Sequence, residues 1–590
     1  MSEDNSPERV RVAGKFLRAG KEKFWVKGLT YGPFSPEDGR GVGLKGGAEL
    51  SADLDQILEL GANTLRVYEV PPRAFLDACS KRGLRVLVGI PWPDHVDFAA
   101  DSELWESCLD AVRSAVGSLA GHPAVLAFLV GNEVEATLVR WLGPRKVKRL
   151  LEQLIECGRE QDQDALFAYA NYPSTEYLNP ENADFTAYNI YLERGEDMGR
   201  YLRRLQNIAG DKALVVSEFG ADSLSHGRGE QARLVGMGVD SSFGAGAAGV
   251  VVFAFTDEWF RGGKDVRGWD FGMVTRDRSP KPSHATLAQR YRSISSASEA
   301  APVASLPKFS VIVCTHNGAQ TLGACLESLC ALHYPDYEVL VVDDGSTDDT
   351  RDIASAADGV RYIRIAHAGL SAARNLGARE ALGEIIAYTD DDCVADEDWL
   401  HYLAAAFEDG KFAAAGGPNI PPPPQNLAEA CVTVAPGAPA HVLLDDRTAE
   451  HLPGCNLAVR RTAFEAIGGF REEFRAAGDD VDFCWRLQEA GFHIGFAPAA
   501  MVWHYRRSTP RAYLRQQVGY GKAEALLIGR HPQRFGLLGG ARWHGAVYSA
   551  NRGALGLASR IYRGVFGYAP FQAVYAPAES DFFHIATGVQ

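Results

Sequence analysis

The chain has 590 residues, of which 46% are hydrophobic and 23% charged, and its formal net charge is −15 at pH 7. This length exceeds what one hydrophobic core organises, so we expect two domains of catalytic size. The balance of apolar and charged residues is typical of folded proteins. The negative charge excludes a nucleic-acid backbone as the main partner, because an acidic chain gains nothing from phosphate counterion release.

The sequence shows no pattern typical of membrane insertion or export. No apolar run reaches the roughly 18 residues that a membrane-spanning helix needs. The first ten residues, MSEDNSPERV, are polar and acidic where a signal peptide would be apolar. We therefore expect a cytoplasmic protein, with peripheral docking on a membrane surface as the alternative.

A segment rich in serine, alanine and proline divides the chain nearly in half. It reads SISSASEAAPVASLPK over residues 293–308, and it lacks hydrophobic periodicity, which is typical of a linker. We predict a polar tail over residues 1–19, a first domain over 20–292, this linker, a second domain over 309–535 and an extension over 536–590.

Eight short apolar runs alternate with amphipathic stretches before the linker. They include TLRVYEV, VLAFLVGNE, FTAYNIYL, ALVVSEFG and GVVVFAFTDEW, and each ends in polar or aromatic residues. Continuous apolar strands that alternate with helices predict a parallel sheet, and eight of them predict a closed (β/α)8 barrel, the TIM-barrel fold. Such a barrel carries its chemistry at the carboxyl ends of its strands.

Two glutamates occupy such strand ends, Glu133 on the fourth run and Glu218 on the seventh. On a closed barrel these positions can face one cleft. Cleavage of a glycosidic bond with retention needs two carboxyl groups about 5 to 5.5 Å apart, one acid and one nucleophile. Asn132, beside the acid, could hold the 2-hydroxyl of a sugar. A single strand-end glutamate is equally well a solvated rim residue, but the pair on these two strands favours catalysis.

Several stretches of this half, VKGLTYGPF, GANTLRVYEVPP, GNEVEA, YNIYLE, SEFGAD and FTDEWFRGG, together resemble a known family. They are similar to the catalytic barrel of retaining glycoside hydrolases, in particular the β-glucuronidase and β-galactosidase group of family 2, without that group's flanking β-sandwich domains. The resemblance implies that Glu133 is the acid/base, Glu218 the nucleophile and Asn132 the contact to the 2-hydroxyl. It implies no cofactor for this half.

Three further residues take roles from the same resemblance. It implies that Arg66 and Tyr191 support the nucleophile and that Trp259 forms the floor on which the sugar stacks. The alternative for all three is simple packing, since arginine, tyrosine and tryptophan at strand ends often only pack.

After the linker, the runs FSVIVCTHN, YEVLVVDDGSTDDT, VRYIRIA and EIIAYTDDDC indicate the start of a doubly wound α/β sheet, whose ligands bind beyond the carboxyl ends of the strands. The first run ends in Thr315 and Asn317, and the second in Asp343, Asp344 and Ser346. These side chains are candidates to anchor a nucleobase and a ribose. The alternative is a capped turn, because aspartate, serine and threonine favour helix starts.

Three consecutive aspartates, Asp390, Asp391 and Asp392, follow the fourth run. Adjacent carboxylates repel one another and are costly to take out of water, so a cation is expected among them. A carboxylate cluster that faces a diphosphate is the usual site of Mg²⁺ or Mn²⁺, which takes oxygens from protein, substrate and water.

Two features lie further along. GDDVDFCWRL places Asp479 and Asp480 before an amphipathic helix, where an ionised carboxylate can deprotonate an acceptor hydroxyl. His504 ends the apolar run MVWHY, although an isolated histidine is more often a satisfied core residue than a metal ligand.

Over residues 309–507 the motifs FSVIVCTHNGAQTLGACLESL, YEVLVVDDGSTDDT, GLSAARNLGAREALGEIIAYTDDDC, GCNLAVRRTAFEAIGGF and GDDVDFCWRLQEAG stand in the order and spacing of the family 2 glycosyltransferases. The resemblance implies the GT-A fold, a UDP-linked nucleotide sugar, a carbohydrate or glycoconjugate acceptor and an inverting displacement. Asp390 and Asp392 would hold the metal with His504, Asp480 would be the general base, and Asp479 would contact the substrate. The nucleotide sugar would lie against Thr315, Asn317, Asp343, Asp344, Ser346, Arg374, Asp390 and Asp391.

The region after His504 departs from one branch of that family. Processive synthases carry a QxxRW motif and membrane helices, whereas this chain reads YLRQQVGYGKAEALL, which favours a single-addition or short-chain transferase. Residues 505–542 are locally basic. A solvated helical face explains the basic residues, and an acceptor phosphate or an anionic membrane surface is the alternative.

The two halves together predict a bifunctional carbohydrate enzyme, a metal-dependent glycosyltransferase fused to a retaining β-glycoside hydrolase. Two alternatives concern the barrel: it is a noncatalytic module that presents the acceptor, or it transfers glycosyl units between sugar chains.

Overall fold

The computed structural model describes residues 8–36, 43–91, 102–173, 175–435, 437, 439–507, 509–536, 540–547, 560–564 and 567–577. Most of the predicted extension over 536–590 therefore lies outside the described residues. The chain divides into two compact units near Pro302. Across the ranges given above, no helix combines the length and the hydropathy that crossing a membrane requires.

The first unit begins with three short antiparallel strands, β1 (Val10–Ala13), β2 (Phe16–Ala19) and β3 (Glu22–Lys23). Val10 and Leu17 are buried in one apolar cluster with residues at the amino ends of the barrel strands. The prediction of a polar tail over residues 1–19 is therefore wrong for residues 10–19, because their alternating apolar side chains pack onto the domain. Residues 1–7 lie outside the described residues.

Eight parallel strands then close into the predicted barrel, with the last strand paired to the first. All residues of the second strand and of the last four are buried, as expected for a sheet covered on both faces. The barrel strands are β4 (Val26–Thr30), β5 (Thr64–Val67), β6 (Arg85–Gly89), β7 (Val125–Asn132), β8 (Phe167–Asn171), β9 (Thr186–Asn189), β10 (Leu214–Phe219) and β11 (Gly249–Val252).

Helices and one hairpin complete this unit: α1 (Gly47–Glu59), α2 (Arg73–Ser80), α3 (Ser102–Leu119), α4 (Ala136–Leu142), α5 (Pro144–Arg159), α6 (Gly195–Ala209), α7 (Ser223–His226), α8 (Arg228–Gly244), β12 (Phe260–Arg261), β13 (Lys264–Asp265), α9 (Pro282–Ser293) and α10 (Ala297–Ala300). The short helix α10 falls inside the predicted linker. Its Ala297 and Ala300 are buried, and it contacts α8 and α9, so this part of the segment packs onto the barrel domain.

The second unit is built on one mixed sheet. Its first four strands are parallel in the order β16-β15-β14-β17, as the doubly wound pattern predicts, and an antiparallel strand, β23, follows β17. The strands after β13 along the chain are β14 (Phe309–Thr315), β15 (Tyr337–Asp343), β16 (Val360–Arg364), β17 (Ile385–Asp390), β18 (Cys393–Ala395), β19 (Ala414–Gly416), β20 (Asn419–Ile420), β21 (Val442–Leu443), β22 (Thr448–His451), β23 (Leu457–Arg460), β24 (Ile494–Phe496), β25 (Val502–His504), β26 (Ala546–Val547), β27 (Arg560–Gly564) and β28 (Gly567–Pro577). Of these, β18, β25 and β20 form a separate three-stranded sheet, and the described residues between 561 and 574 group with the first unit.

The carboxyl ends of β14, β15 and β17 lie side by side, because β14 pairs with both of the other strands. The three predicted acidic or polar segments therefore meet at one edge of the sheet. The helices of the unit are α11 (Leu322–Cys330), α12 (Thr350–Ala356), α13 (Leu370–Glu380), α14 (Trp399–Phe407), α15 (Leu427–Thr433), α16 (Arg461–Ala466), α17 (Asp479–Glu489) and α18 (Pro510–Arg530).

Candidate functional sites

Glu218 lies at the carboxyl end of β10 and accepts three hydrogen bonds. Its Oε2 accepts from Arg66 Nη1 at 3.1 Å and from the Tyr68 hydroxyl at 2.6 Å, and its Oε1 accepts from the Tyr191 hydroxyl at 2.5 Å. Burial raises the pKa values of both tyrosines well above the ordinary range, so they remain protonated donors. The carboxylate is thus held in one orientation with an adjacent positive charge.

Glu133 follows directly after β7 and reaches the same network through an asparagine. Asn189 Nδ2 donates to Glu133 Oε1 at 2.8 Å, and Asn189 Oδ1 accepts from Arg66 Nη1 at 2.9 Å. Burial, and next the negative charge of Glu218, raise the pKa of Glu133. The raised pKa favours the protonated form of Glu133, which is the form that a catalytic acid needs.

The backbone of Glu133 is strained. Its φ is +47°, in the left-handed region that non-glycine residues seldom adopt. Such strain costs about 1–3 kcal/mol and persists only where the surroundings fix it, which is frequent at functional positions. The next residue is fixed in this way, since the Val134 amide donates to the Tyr169 hydroxyl at 2.8 Å.

Asn132 has its side-chain oxygen occupied, because Oδ1 accepts from Arg66 Nη2 at 2.6 Å and from Asn189 Nδ2 at 3.0 Å. Both bonds orient the amide so that the other atom, Nδ2, is the one available to a ligand. This atom takes no partner from the described residues. The geometry therefore suits the predicted contact to a sugar hydroxyl.

Trp259 belongs to an aromatic wall beside the nucleophile. Its ring centroid lies 5.1 Å from that of Tyr68, 4.9 Å from that of Phe253 and 6.4 Å from that of Trp269. Trp269 is 41% exposed, so the wall has an open side. The Trp259 ring is held by edge-to-face packing against Tyr68. A ring fixed in this way can stack against a sugar.

Sequence reasoning missed three side chains of this site: Tyr68, Asn189 and Ser217. Ser217 Oγ donates to Asn189 Oδ1 at 2.8 Å, and Asn189 joins the two glutamates through Arg66. All three lie in or next to the barrel strands β5, β9 and β10, so their position at carboxyl strand ends was the available signal.

In the second unit, Asp343 and Asp344 end β15 in different environments. Asp343 Oδ1 accepts from the Ser346 amide at 2.7 Å and its Oδ2 accepts from the Tyr362 hydroxyl at 2.6 Å. Burial raises the pKa of Asp343, but these bonds outweigh it and hold the value below the usual range. Gly345 has φ +78°, and a Cβ there would stand 2.9 Å from the His367 amide, so the turn requires glycine.

Asp344 is flanked by two histidines that sequence reasoning did not single out. Its carboxylate accepts from the backbone amides of Ala368 and Gly369 at 2.6 and 2.9 Å, and His367 Nδ1 lies 2.9 Å from Oδ2. The ring centroids of His316 and His367 lie 4.4 Å apart. The histidines border the position predicted for a nucleobase.

Thr315, Asn317 and Ser346 link the ends of β14 and β15. The Asn317 amide donates to Ser346 Oγ at 2.8 Å, and Asn317 Oδ1 accepts from the Thr347 amide at 2.8 Å. Thr315 donates instead to Asp391. The structure thus brings these residues together but gives them mutual hydrogen bonds, as the alternative of a capped turn also predicts.

Arg374 joins two of the acidic segments. This buried arginine of α13 donates through Nη1 to Asp479 at 2.5 Å and through Nη2 to Asp390 at 3.1 Å. A Cβ at Gly454 would stand 2.5 Å from Nη1, so the guanidinium needs glycine beside it. Burial outweighs the charge of Arg374 and raises the pKa of Asp479 to about 6. Arg374 is therefore an organiser of the site in addition to its predicted contact with the nucleotide sugar.

The three consecutive aspartates have separate surroundings. Asp390 pairs with Arg374, Asp391 accepts from the Thr315 hydroxyl, and Asp392 Oδ1 lies 3.4 Å from His504 Nε2. Burial raises the pKa of Asp391 to about 7. Asp391 thus points toward the end of β14, while Asp390 and Asp392 point toward positive side chains.

Asp392 and His504 fit a divalent cation. Burial raises the pKa of Asp392, but the hydrogen bond from His504 outweighs it and lowers the value. Burial lowers the pKa of His504, but the hydrogen bond and charge of Asp392 raise it to about 9, so the imidazole must release its proton when a cation binds. The Asp392, Cys393 and His504 ligand atoms lie within 4.8 Å of one another. The carboxylate oxygen of Asp392 is a ligand type that suits Mn²⁺ or Mg²⁺. Burial raises the pKa of the Cys393 thiol well above its usual range and keeps it protonated.

Asp480 lies at the first turn of α17, and its carboxylate is held from two sides. Oδ2 accepts from the Gly454 amide at 3.0 Å and lies 3.7 Å from His451 Nε2, and Oδ1 accepts from the Val481 amide at 2.9 Å. Burial raises the pKa of Asp480, but the nearby His451 imidazole, the Arg374 guanidinium and the Gly454 amide lower it to about 2. The side chain remains ionised, as a proton acceptor must.

Comparison with known proteins gives two matches along the chain. Residues 310–468 match the family model described as Glycosyl transferase family 2, and residues 2–258 match the one described as Glucanosyltransferase. A Mycobacterium tuberculosis protein, Pre-mycofactocin glycosyltransferase, is 30% identical over 267 residues, 42% of this chain and 54% of that protein. Glycosyltransferase AglE of Haloferax volcanii is 30% identical over 236 residues, 38% of this chain and 76% of that protein.

Among solved structures, a Bifidobacterium dentium β-glucuronidase complexed with coumarin-3-O-glucuronide is similar to this chain. The identity is 21% and the TM-score 0.42, over 48% of this chain and 49% of that one. The chain spans about half the length of the first relative and of this structure.

Proposed function

Because the C-terminal half of the chain belongs to glycosyl transferase family 2, we propose that it transfers a sugar from a UDP-linked donor to a hydroxyl of a carbohydrate or glycoconjugate acceptor, with inversion at the anomeric carbon. The observation that carries this proposal is the meeting of Arg374, Asp390, Asp479 and Asp480 at one edge of the sheet. A donor anchor and an ionised base at adjacent positions are what a direct displacement needs.

Each group has one task in the proposed transfer. Asp343 and Asp344 hold the uridine, Arg374 orients the donor through its two aspartates, and Asp480 accepts the proton of the attacking hydroxyl. Asp392 and His504, with Asp390, would hold Mg²⁺ or Mn²⁺, which when bound offsets the charge of the departing diphosphate. The acceptor oxygen then forms the new bond to the anomeric carbon on the face opposite the diphosphate.

For the barrel we propose cleavage of a β-glycosidic bond through a covalent intermediate on Glu218. The carboxylate attacks the anomeric carbon, the bond to the leaving oxygen breaks, and that oxygen takes the proton of Glu133. The raised pKa of Glu133 and the three donors to Glu218 support this division of roles. The match to a glucanosyltransferase family model favours a sugar hydroxyl over water as the second acceptor.

A donor screen on the intact protein tests the transferase. UDP release is measured with UDP-glucose, UDP-galactose, UDP-glucuronate and UDP-N-acetylglucosamine, with Mn²⁺ present. The expected result is release from one preferred donor. Absence of release from all four would contradict the assignment of a UDP-linked donor.

Turnover of nitrophenyl β-glycosides by the intact protein tests the barrel. We expect release of nitrophenol and covalent labelling of Glu218 by a fluorosugar, and product analysis with excess sugar acceptor separates transfer from hydrolysis. If the intact protein shows neither turnover nor labelling, the catalytic role of the barrel is overturned, and the barrel is then a module that presents the acceptor.

A further inference from the structure

Helix α18 begins beside the proposed metal-binding residues. Its Tyr513 and Gln516 line a cleft together with Asp392, His504 and Arg507. Arg507, just before the helix, lies 3.5 Å from Asp392. The first half of the helix is therefore a wall of the same site.

The second half of α18 lies beside the proposed general base. Ala523 is buried, and a Cβ placed at Gly478, two residues before Asp480, would stand 3.0 Å from the Ala523 Cβ. Tyr520 lies one turn earlier on the helix. Burial, and next the charge of Asp480, raise the pKa of Tyr520, so its phenol remains protonated next to that carboxylate.

Two side chains of α18 have buried polar atoms that lack partners. The amide nitrogen and oxygen of Gln517 take no hydrogen bond from the described residues, and neither does Glu524 Oε1. The Gln517 amide lies against Gly437, which itself lines the cleft. Buried polar groups in native proteins are nearly always hydrogen-bonded to protein, water or a ligand, so these atoms are available to bind a ligand in the cleft.

These side chains share one face of the helix. Positions 517, 520 and 524 are separated by three and four residues, which places them within one stripe. Val518, which is on the other side of the helix, is 62% exposed, whereas Ala523 and Leu527, three residues after Tyr520 and Glu524, are buried. The polar stripe therefore borders the buried apolar face of the helix and is turned toward the protein.

We propose that the inner face of α18 is the acceptor subsite, with Gln517, Tyr520 and Glu524 binding the hydroxyls of a saccharide. This inference rests on the proposed transferase function and specifies its acceptor. An amide and a phenol both donate and accept, and a carboxylate accepts, which matches the mixed donors and acceptors of a polyhydroxylated sugar. The acceptor hydroxyl that reacts must reach Asp480, and Tyr520 borders that position.

The test measures acceptor dependence in the intact protein with the donor found by the UDP screen. The acceptor probes are methyl β-D-glucoside, cellobiose and octanol, and the variants are Gln517→Met and Tyr520→Phe. We expect transfer to one or both sugars and none to octanol. Each variant should raise the acceptor KM about tenfold, the factor that 1.4 kcal/mol gives, with the donor KM and acceptor-independent UDP release unchanged. Val518→Ala, on the exposed face, is the matched control and should leave all three quantities unchanged.

Thermal unfolding separates ligand binding from a structural role. Gln517→Met replaces a buried amide without partners by an apolar side chain of similar size, so the melting temperature should rise while acceptor binding weakens. A structural hydrogen-bonding role would instead lower the melting temperature. Unchanged acceptor KM in both variants, or transfer to octanol alone, would overturn this inference, whereas no UDP release from any donor would overturn the proposed function itself.

Discussion

The two sites surround their carboxyl groups with different partners. In the barrel, Glu133 and Glu218 are held by Arg66 and by neutral tyrosine and asparagine side chains. In the second unit, charged side chains hold the acidic groups instead: Arg374 contacts Asp390 and Asp479, His504 faces Asp392, and His451 faces Asp480.

This difference shows how the neighbouring side chains in each site determine the protonation states of its carboxyl groups. Burial and the charge of Glu218 raise the pKa of Glu133, which favours a protonated carboxyl group at the position of the proposed acid. Histidine neighbours outweigh burial and lower the pKa values of Asp392 and Asp480, which favours ionised groups that bind a cation and accept a proton.

The largest expected effect is that of Asp480→Asn. Loss of the proton acceptor should reduce sugar transfer by about 10²- to 10⁴-fold, the usual contribution of general base catalysis. UDP binding, measured by calorimetry, should stay nearly intact because Asp480 accepts a hydrogen bond from Gly454 and faces His451, and does not contact the proposed uridine residues. Asp358→Asn, an exposed change in the same unit, is the control. Normal transfer by the Asp480 variant would remove this residue from the mechanism.

Metal removal should distinguish the two sites nearly as strongly. EDTA should abolish transfer, and Mn²⁺ or Mg²⁺ should restore it, because the proposed cation supplies several kcal/mol of charge stabilisation. Cleavage of nitrophenyl glycosides should be unaffected by the same treatment. Full transferase activity of Asp392→Ala in the presence of EDTA would show that the metal assignment is wrong.

Tyr68→Phe should have an intermediate effect confined to the barrel. The phenol donates one of three hydrogen bonds to Glu218, and a hydrogen bond to a charged group contributes about 1.5–3 kcal/mol, or roughly 10- to 100-fold in rate. Formation of the fluorosugar adduct is the readout, with UDP release as the internal control. A Tyr68→Phe enzyme with unaltered adduct formation would assign the tyrosine to packing against Trp259.

The pH dependence of barrel activity should show the smallest but most specific effect. Glu133 donates its proton only while protonated, so kcat/KM should fall as pH rises through its pKa. Because that pKa is raised, the fall should lie above the range of an ordinary glutamate, which titrates near about 4.3. Glu133→Gln should remove this alkaline limb with an activated nitrophenyl substrate. If the alkaline limb of the kcat/KM profile were unchanged in Glu133→Gln, the titration would belong to another group.

The sequence was sufficient for the parts that depend on strand ends. Eight apolar runs predicted the barrel, and the positions of Glu133 and Glu218 at two of its strand ends predicted their proximity. The α/β pattern likewise predicted ligand-binding residues at the carboxyl ends of the strands, and the pairing of β14 with β15 and β17 brings Asp343 and Asp390 to one edge. In such folds the residues at the carboxyl ends of the strands meet at one edge, so the local sequence is enough to identify candidate site residues.

What the sequence did not reveal depends on contacts between distant segments. Asn189 acts as the link between two glutamates because β9 lies beside β10, and its sequence YNIYL carries no sign of that role. Residues 10–19 were predicted to belong to a polar tail, yet Val10 and Leu17 are buried because they pack against the barrel. The inward polar face of α18 is likewise visible only once the helix is placed against Gly478 and Gly437.

A crossed assay of Glu218→Gln and Asp480→Asn tests most directly whether the chain carries two separate catalytic sites. Each variant of the intact protein is measured for nitrophenol release and for UDP release under the same conditions. We expect Glu218→Gln to lose the first activity and keep the second, and Asp480→Asn to do the reverse. Loss of both activities in either variant, or retention of both, would contradict the account.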